Sequence, residues 1–173
     1  MHLVVIDMQE KLFPHIHEKD EVLLNTYKLV KAFEVLGLPI TFTEQIKLGE
    51  TIKPLSNLAK DVVKKTSFSC MGEDEFLKRI MGDRVFVLTG IETHICVLQT
   101  AIDMLKYGFK VFVSADCTSS RKEYDKNIAI KRMIQEGIKI STSESIIYEI
   151  LRDAKHEKFK EILNIVKMKD VQL

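Results

Sequence analysis

The sequence predicts an α/β fold, a three-layer α/β/α sandwich built on a mostly parallel, roughly six-stranded sheet. Three observations carry that expectation. Short apolar, β-branched runs recur along the 173 residues, and amphipathic stretches of helical length lie between them. Strand, helix and strand in succession imply parallel pairing, because a parallel connection needs a long crossover and that crossover is right-handed. With 46% hydrophobic residues and few Gly or Pro to mark a linker, residues 1–173 read as one domain.

The elements follow in order. The first strand is His2–Ile6, with Asp7 at its end. Val22, Leu29, Val30, Phe33 and Leu36 then share one helical face, and Gly37 with Pro39 ends that crossover helix. Leu38–Thr43 is the next strand, followed by a weaker one at Asp61–Lys64 and a strong one at Arg84–Thr89. The stretch Thr93–Tyr107 puts Ile95, Leu98, Ile102 and Leu105 on one stripe and stops at Gly108. Lys110–Ser114 is a strand, Glu123–Glu136 a helix ended by Gly137, and Ile138–Thr142 the last strand. Phe159, Ile162 and Ile165 in Lys155–Met168 predict a helix lying over the outside of the sheet.

Composition excludes several classes of function. Lys+Arg 26 against Asp+Glu 25 leaves a net charge of +1, which gives no field for nucleic acid or anionic lipid. Apolar runs such as Leu3–Ile6 and Val85–Leu88 fall far short of the ~20 residues that span a bilayer. The opening MHLVVID has no basic segment ahead of its apolar run, so a cytoplasmic protein is expected. Cys70, Cys96 and Cys117 are odd in number and contain no CxxC pair, which argues against a disulfide framework and against a Cys-rich zinc site.

Open parallel sheets bind ligands beyond the carboxyl ends of their strands, where the strand order reverses, commonly between the first and fourth strands. Asp7 ends the first strand, and Cys96 lies just past the fourth, in the opening turn of the Thr93 helix. A thiol there feels the positive end of the helix dipole, which predicts a pKa below the ~8.5 of a free cysteine and makes Cys96 the best nucleophile candidate. A small buried core residue is the competing reading, and spacing alone leaves both open. Asp7 reads either as a catalytic carboxylate or as the cap of the turn that follows. Lys64 and Lys65 close the weak third strand before Thr66-Ser67-Phe68-Ser69, and a lysine pair is by default a solvated face.

Four segments resemble the isochorismatase-like cysteine hydrolases, in the right order and over nearly the whole length. They are VVIDMQE at Val4–Glu10, KTSFS at Lys65–Ser69, GIETHICV at Gly90–Val97 with LQTA following, and VSADCTSSR at Val113–Arg121. TEQ at Thr43–Gln45 and STSE at Ser141–Glu144 look most like the isochorismatase domain-containing subgroup. The resemblance implies an Asp-Lys-Cys triad of Asp7, Lys65 and Cys96. It also implies a cis peptide between Ile91 and Glu92, and an oxyanion hole formed by the backbone N–H groups of Glu92 and Cys96. The implied reaction is hydrolysis of a small amide or imide through a thioester. Vinyl-ether-cleaving isochorismatases lack the nucleophilic cysteine, so its presence favours acyl chemistry. The alternative is a non-catalytic member that binds a small acyl ligand or a partner protein, because fold and motif do not by themselves fix activity.

Zinc-dependent nicotinamidases of this family carry D-x-H after the second strand. Here that place reads Thr43-Glu44-Gln45-Ile46-Lys47, without a histidine. No metal and no cofactor are therefore expected, and Glu44 or Gln45 is expected at the rim of the pocket. His15 and His17 are two apart with no third ligand at metal spacing. His94 is two residues from Cys96 on a helix and does not face it, so a solvent-facing or subunit-contact role is expected. Phe13, Gln45, Phe68 and Ile91 are the expected substrate-binding residues, Ile95 adds apolar wall, and Cys70 and Cys117 read as packing residues. A small-molecule substrate and a homo-oligomer of even subunit number complete the expectations.

Overall fold

Successive side chains of a strand point to opposite faces, and in β1 (His2–Ile6) both faces are buried. Leu3 and Val5 join one apolar layer and Val4 and Ile6 the other. A strand of this kind belongs at the centre of a sheet covered on both sides. The computed structural model describes residues 1–171, and β1 is central in it. The other strands are β2 (Ile40–Gln45), β3 (Val62–Lys65), β4 (Val85–Ile91), β5 (Lys110–Ser119) and β6 (Lys139–Ser141). They form one six-stranded sheet in the order β3-β2-β1-β4-β5-β6, parallel throughout. The order reverses between β1 and β4, so the carboxyl ends of those two strands frame the expected crevice.

Among the described residues six α-helices cover the two faces. On the Leu3 and Val5 side lie α1 (Lys19–Val35), α5 (Ser143–Leu151) and α6 (Phe159–Val166), which contribute Phe33, Ile146, Ile147 and Ile162 to that core. On the Val4 and Ile6 side lie α2 (Asp74–Arg79), α3 (Leu98–Lys106) and α4 (Glu123–Gln135), with Phe76, Ala101, Met104 and Met133 packed against Phe86 and Leu88. Among the described residues no helix is long and apolar enough to cross a membrane.

The structure departs from the expected elements in five places. A wide π turn, Thr93–Val97, precedes α3. The buried seam of α3 runs through Leu98, Ala101 and Met104, with Ile102 and Leu105 only partly buried beside it. Helices α2 and α5 were not expected, because α2 is a single charged turn and a half, and the apolar density of SIIYEIL hides its helical period. Strand β5 continues to Ser119 because its register against β4 jumps between Leu88 and Gly90, and residues between Val113 and Thr118 bulge out.

At Gly90, β4 passes too close to β1 for a side chain. This glycine pairs with Ile6 and has φ +108°, and a Cβ built there would lie 2.0 Å from the Ile6 carbonyl oxygen. Only glycine fits that approach, which sets the Glu92–Cys96 segment directly beside Asp7.

Candidate active site

Asp7 follows the last residue of β1 with φ 52°, a left-handed conformation that aspartate tolerates better than most side chains. Its carboxylate is fully buried. Oδ1 accepts a hydrogen bond from the Thr43 hydroxyl at 2.8 Å. Oδ2 lies 2.8 Å from Lys65 Nζ, so the two side chains form a fully buried charge pair.

Lys65 is the last residue of β3, and its side chain is as buried as that of Asp7. A strand-end lysine pointing inward instead of into solvent demands partners. Nζ donates to Gln45 Oε1 at 2.7 Å, to the Ser67 carbonyl at 3.1 Å and to the Phe68 carbonyl at 3.2 Å. It also lies 3.7 Å from Cys96 Sγ. Asp7, Lys65 and Cys96 thus meet in one place, whereas Lys64 turns outward to pair with Glu44.

Burial acts to lower the pKa of Lys65, but the Asp7 carboxylate beside it, with the Cys96 sulfur as the next contributor, more than offsets it, and the net displacement is upward. Lys65 is a cation throughout the physiological range. Cys96 moves the other way from the sequence expectation. Burial first, and the Asp7 carboxylate second, push its thiol far above the ordinary cysteine range, while Lys65 pulls only part of the way back. Desolvation of the sulfur beside a full carboxylate outweighs the partial positive charge of the opening helical turn. In the resting site Cys96 is a neutral thiol, so any reaction as a nucleophile needs a base, and the Asp7 carboxylate is the neighbouring anion.

Cys96 is only 7% exposed, but it forms part of the wall of a cavity of about 270 Å³ that opens to solvent. Leu12, Leu48, Phe68 and Ile95 make the apolar walls, and Gln45, Glu92 and Arg121 supply polar edges. A larger hollow of about 350 Å³ between α1 and the 169–171 segment is lined by leucines and surface charges with no nucleophile, so size alone does not locate the chemistry.

Of the expected contact residues, Phe68 and Gln45 line the cavity. The Gln45 amide is already engaged, however, with Oε1 accepting from Lys65 and Nε2 donating to the Thr66 carbonyl at 2.8 Å. Phe13 and Ile91 do not line it. Strand alternation sends Ile91 to the Leu3 and Val5 face, and Phe13 packs against the same core, leaving their chain neighbours Glu92 and Leu12 at the cavity. Glu44 is also withdrawn from the rim, since its Oε1 accepts from Thr51 N and Oγ1, each at 2.7 Å.

The Ile91–Glu92 peptide is cis. The β5 bulge supports this corner, with Thr118 Oγ1 donating to the Gly90 carbonyl at 2.7 Å and lying 2.9 Å from Thr93 Oγ1. Arg121 N and Nε both donate to Glu92 Oε2, at 2.9 and 3.1 Å. Thr43, Thr118 and Arg121 stand inside the segments that carried the resemblance, but nothing in their spacing singled them out. His94 Nδ1 lies 2.9 Å from Ser120 Oγ, and His17 is 3.7 Å from its neighbour Glu18. Among the described residues no three His, Cys, Asp or Glu side chains are grouped to hold a metal. Cys70, Cys96 and Cys117 are all free, and Cys70 and Cys117 are sealed in the core.

Residues 1–145 match the isochorismatase domain model. The chain is 40% identical over 167 residues to isochorismatase domain-containing protein 1 of Danio rerio, covering 94% of this chain but 59% of that protein, so it spans well under two thirds of that relative's length. Its structure superposes on that of MAR1 ribonuclease from Caenorhabditis elegans with a TM-score of 0.92 and 33% identity, over 99% of this chain and 91% of the other. The fold is shared with YcaC of Escherichia coli, described as an octameric hydrolase of unknown specificity, at a TM-score of 0.84 and 21% identity over 95% and 91% of the two chains.

Proposed function

The chain belongs to the isochorismatase family, and we propose that it is a cysteine hydrolase that cleaves a small amide or imide through a thioester acyl-enzyme. The observation that carries this reading is the convergence of one carboxylate, one ammonium and one thiol beside a small open cavity, 2.8 Å between the charged pair and 3.7 Å from ammonium to sulfur.

In the proposed cycle Asp7 Oδ2 takes the Cys96 proton as Sγ attacks the acyl carbon, and Lys65 balances the negative charge that passes from oxygen to sulfur. The backbone N–H groups of Glu92 and Cys96 are assigned to the developing oxyanion, an arrangement worth about 3 kcal/mol per donor in related chemistry. Collapse of the adduct breaks the C–N bond, and Asp7 returns the proton to the departing nitrogen. A water deprotonated by Asp7 then attacks the thioester, Cys96 leaves and is reprotonated, and a carboxylic acid is released. The balance is one amide and one water giving one acid and one amine, or one acid and one amide from an imide.

Intact-mass and peptide mass spectrometry after rapid acid quench, across a panel of small amides and imides, tests this reading. An acyl adduct on the Cys96 peptide that forms and decays with turnover is expected. Hydrolysis that proceeds without an adduct and survives Cys96→Ala removes the nucleophile, and a chain that binds panel members without hydrolysing any fits the non-catalytic alternative. Because the C. elegans relative is named a ribonuclease, single-stranded RNA belongs in the panel; the balance of 26 basic against 25 acidic residues leads us to expect it uncut.

We also propose that the chain self-associates. Tyr124 and Ile128, one turn apart on α4, are exposed at 73% and 47%, and the rim residue Phe68 at 56%. Sedimentation velocity is expected to show an even-numbered oligomer, and a monomer at micromolar concentration would remove this part of the proposal.

A further inference from the structure

After Lys65 the chain turns sharply through Thr66–Ser69 before entering α2, and a single atom organises that loop. Glu73 Oε1 accepts from Thr66 N at 2.8 Å, Thr66 Oγ1 at 3.3 Å and Ser67 N at 3.0 Å, and it shares the single proton of Ser67 Oγ with the Ser69 carbonyl, each at 2.8 Å. Gly72 allows the fold-back, since a Cβ there would lie 2.6 Å from Ser67 Oγ. Gln45 Nε2 holds the same loop from the opposite side through the Thr66 carbonyl. The result is that the next two carbonyls, of Ser67 and Phe68, both point at Lys65 Nζ.

These two carbonyls are neutral acceptors, and that difference in charge matters. An ammonium has three protons, and Lys65 has the Asp7 carboxylate, the Gln45 amide, two loop carbonyls and the Cys96 sulfur within reach. A carboxylate left to compete alone draws the cation to itself. Neutral carbonyls keep it between Asp7 and Cys96 without cancelling the charge that a thiolate needs.

We infer that Glu73 is a positioning residue for the proposed reaction: by clamping Thr66 and Ser67 it fixes the loop carbonyls that hold the Lys65 ammonium within reach of the Cys96 sulfur. The inference rests on the proposed Asp7–Lys65–Cys96 site. Glu73 remains an acceptor across the working pH range, because hydrogen bonds from Ser67 and Thr66 lower its pKa to about 2.

The test reads the position of Lys65 through the acidity of Cys96, with iodoacetamide as the probe and the alkylated cysteine located by peptide mapping. It is made in an Asp7→Asn background, which removes the neighbouring anion that raises the Cys96 pKa and leaves Lys65 as the charged group beside the sulfur. Adding Glu73→Ala is expected to raise the alkylation midpoint by about one pH unit, and Ser67→Ala, which removes one of the four contacts, to raise it by less. Glu73→Gln retains a carbonyl oxygen for the two backbone N–H groups and is expected to keep the midpoint close to that of the background. A residue that only stabilised the loop would lower the melting temperature without moving the midpoint. Midpoints unmoved by either Glu73→Ala or Ser67→Ala overturn the inference, and Ser67→Ala decides if Glu73→Ala does not fold. If Asp7→Asn alone fails to make Cys96 more acidic than in the wild type, it is the underlying site that falls.

Discussion

Replacing Asp7 with asparagine is expected to abolish turnover while making the Cys96 thiol more acidic. The two effects have one cause. In the wild type, a thiolate would be a second anion in a buried site that already holds the Asp7 carboxylate, and the thiol is pushed upward by burial and by that carboxylate. Asparagine keeps the shape and can still meet Thr43, but the anion is gone. Ionising the sulfur then completes an ion pair with Lys65, so the direction of the shift is downward, by more than about one unit. Alkylation at pH 7 should therefore be faster in Asp7→Asn than in the wild type, whose reactivity should still be climbing above pH 9. Turnover should fall by about a thousandfold, because neither the proton taken from sulfur nor the one given to nitrogen has a carrier. Alkylation rates over a pH series and a single-turnover assay check the pair. A thiol no more reactive than in the wild type, or turnover that persists, would show that Asp7 is not the base.

Lys65→Met is expected to cost both activity and stability. The side chain is of similar length and fills similar space, so the change is mainly electrostatic. It leaves the Asp7 carboxylate buried at 0% exposure, with Thr43 as its hydrogen-bond partner and no counter-charge. Breaking a buried pair from one side typically costs about 3–5 kcal/mol, whereas removing both charges together costs far less. Denaturant unfolding should accordingly show Lys65→Met as the least stable variant and Lys65→Met with Asp7→Asn as recovering most of the loss, although neither turns over substrate. A single variant within about 1 kcal/mol of the wild type would mean that the pair contributes no more than a surface contact.

Most of the scaffold was legible because its signals are local. The apolar pattern of His2–Ile6, the helical face from Val22 to Leu36 and the stops at Gly37, Gly108 and Gly137 need no distant partner to be read, and each agrees with the observed element to within a few residues. Parallel pairing and the reversal between β1 and β4 follow from the alternation of elements and the rules of crossover. What escaped is short or compensated elsewhere. Helix α2 has too few residues to display a period, and the continuation of β5 depends on a bulge whose only visible cause is its register against β4.

The site divides in the same way. Asp7 and Cys96 were placed at the crevice by topology, and family likeness added Lys65, but their states were another matter. Position in an opening helical turn argued for an acidic thiol, and burial beside a carboxylate reversed the sign. Spacing left Lys65 and Lys64 equivalent, and the fold separates them by turning one inward to Asp7 and the other outward to Glu44. Gln45 and Glu73 gain their roles only through the loop they jointly hold. Unaided, the chain of residues determines which segments become strands and helices and which chemical groups end near the crevice, because backbone preference and apolar period act between near neighbours. Which of those groups is charged, and which lie in contact, were decided by the tertiary structure alone, since desolvation and Coulomb interaction depend on what other parts of the chain bring within a few ångströms.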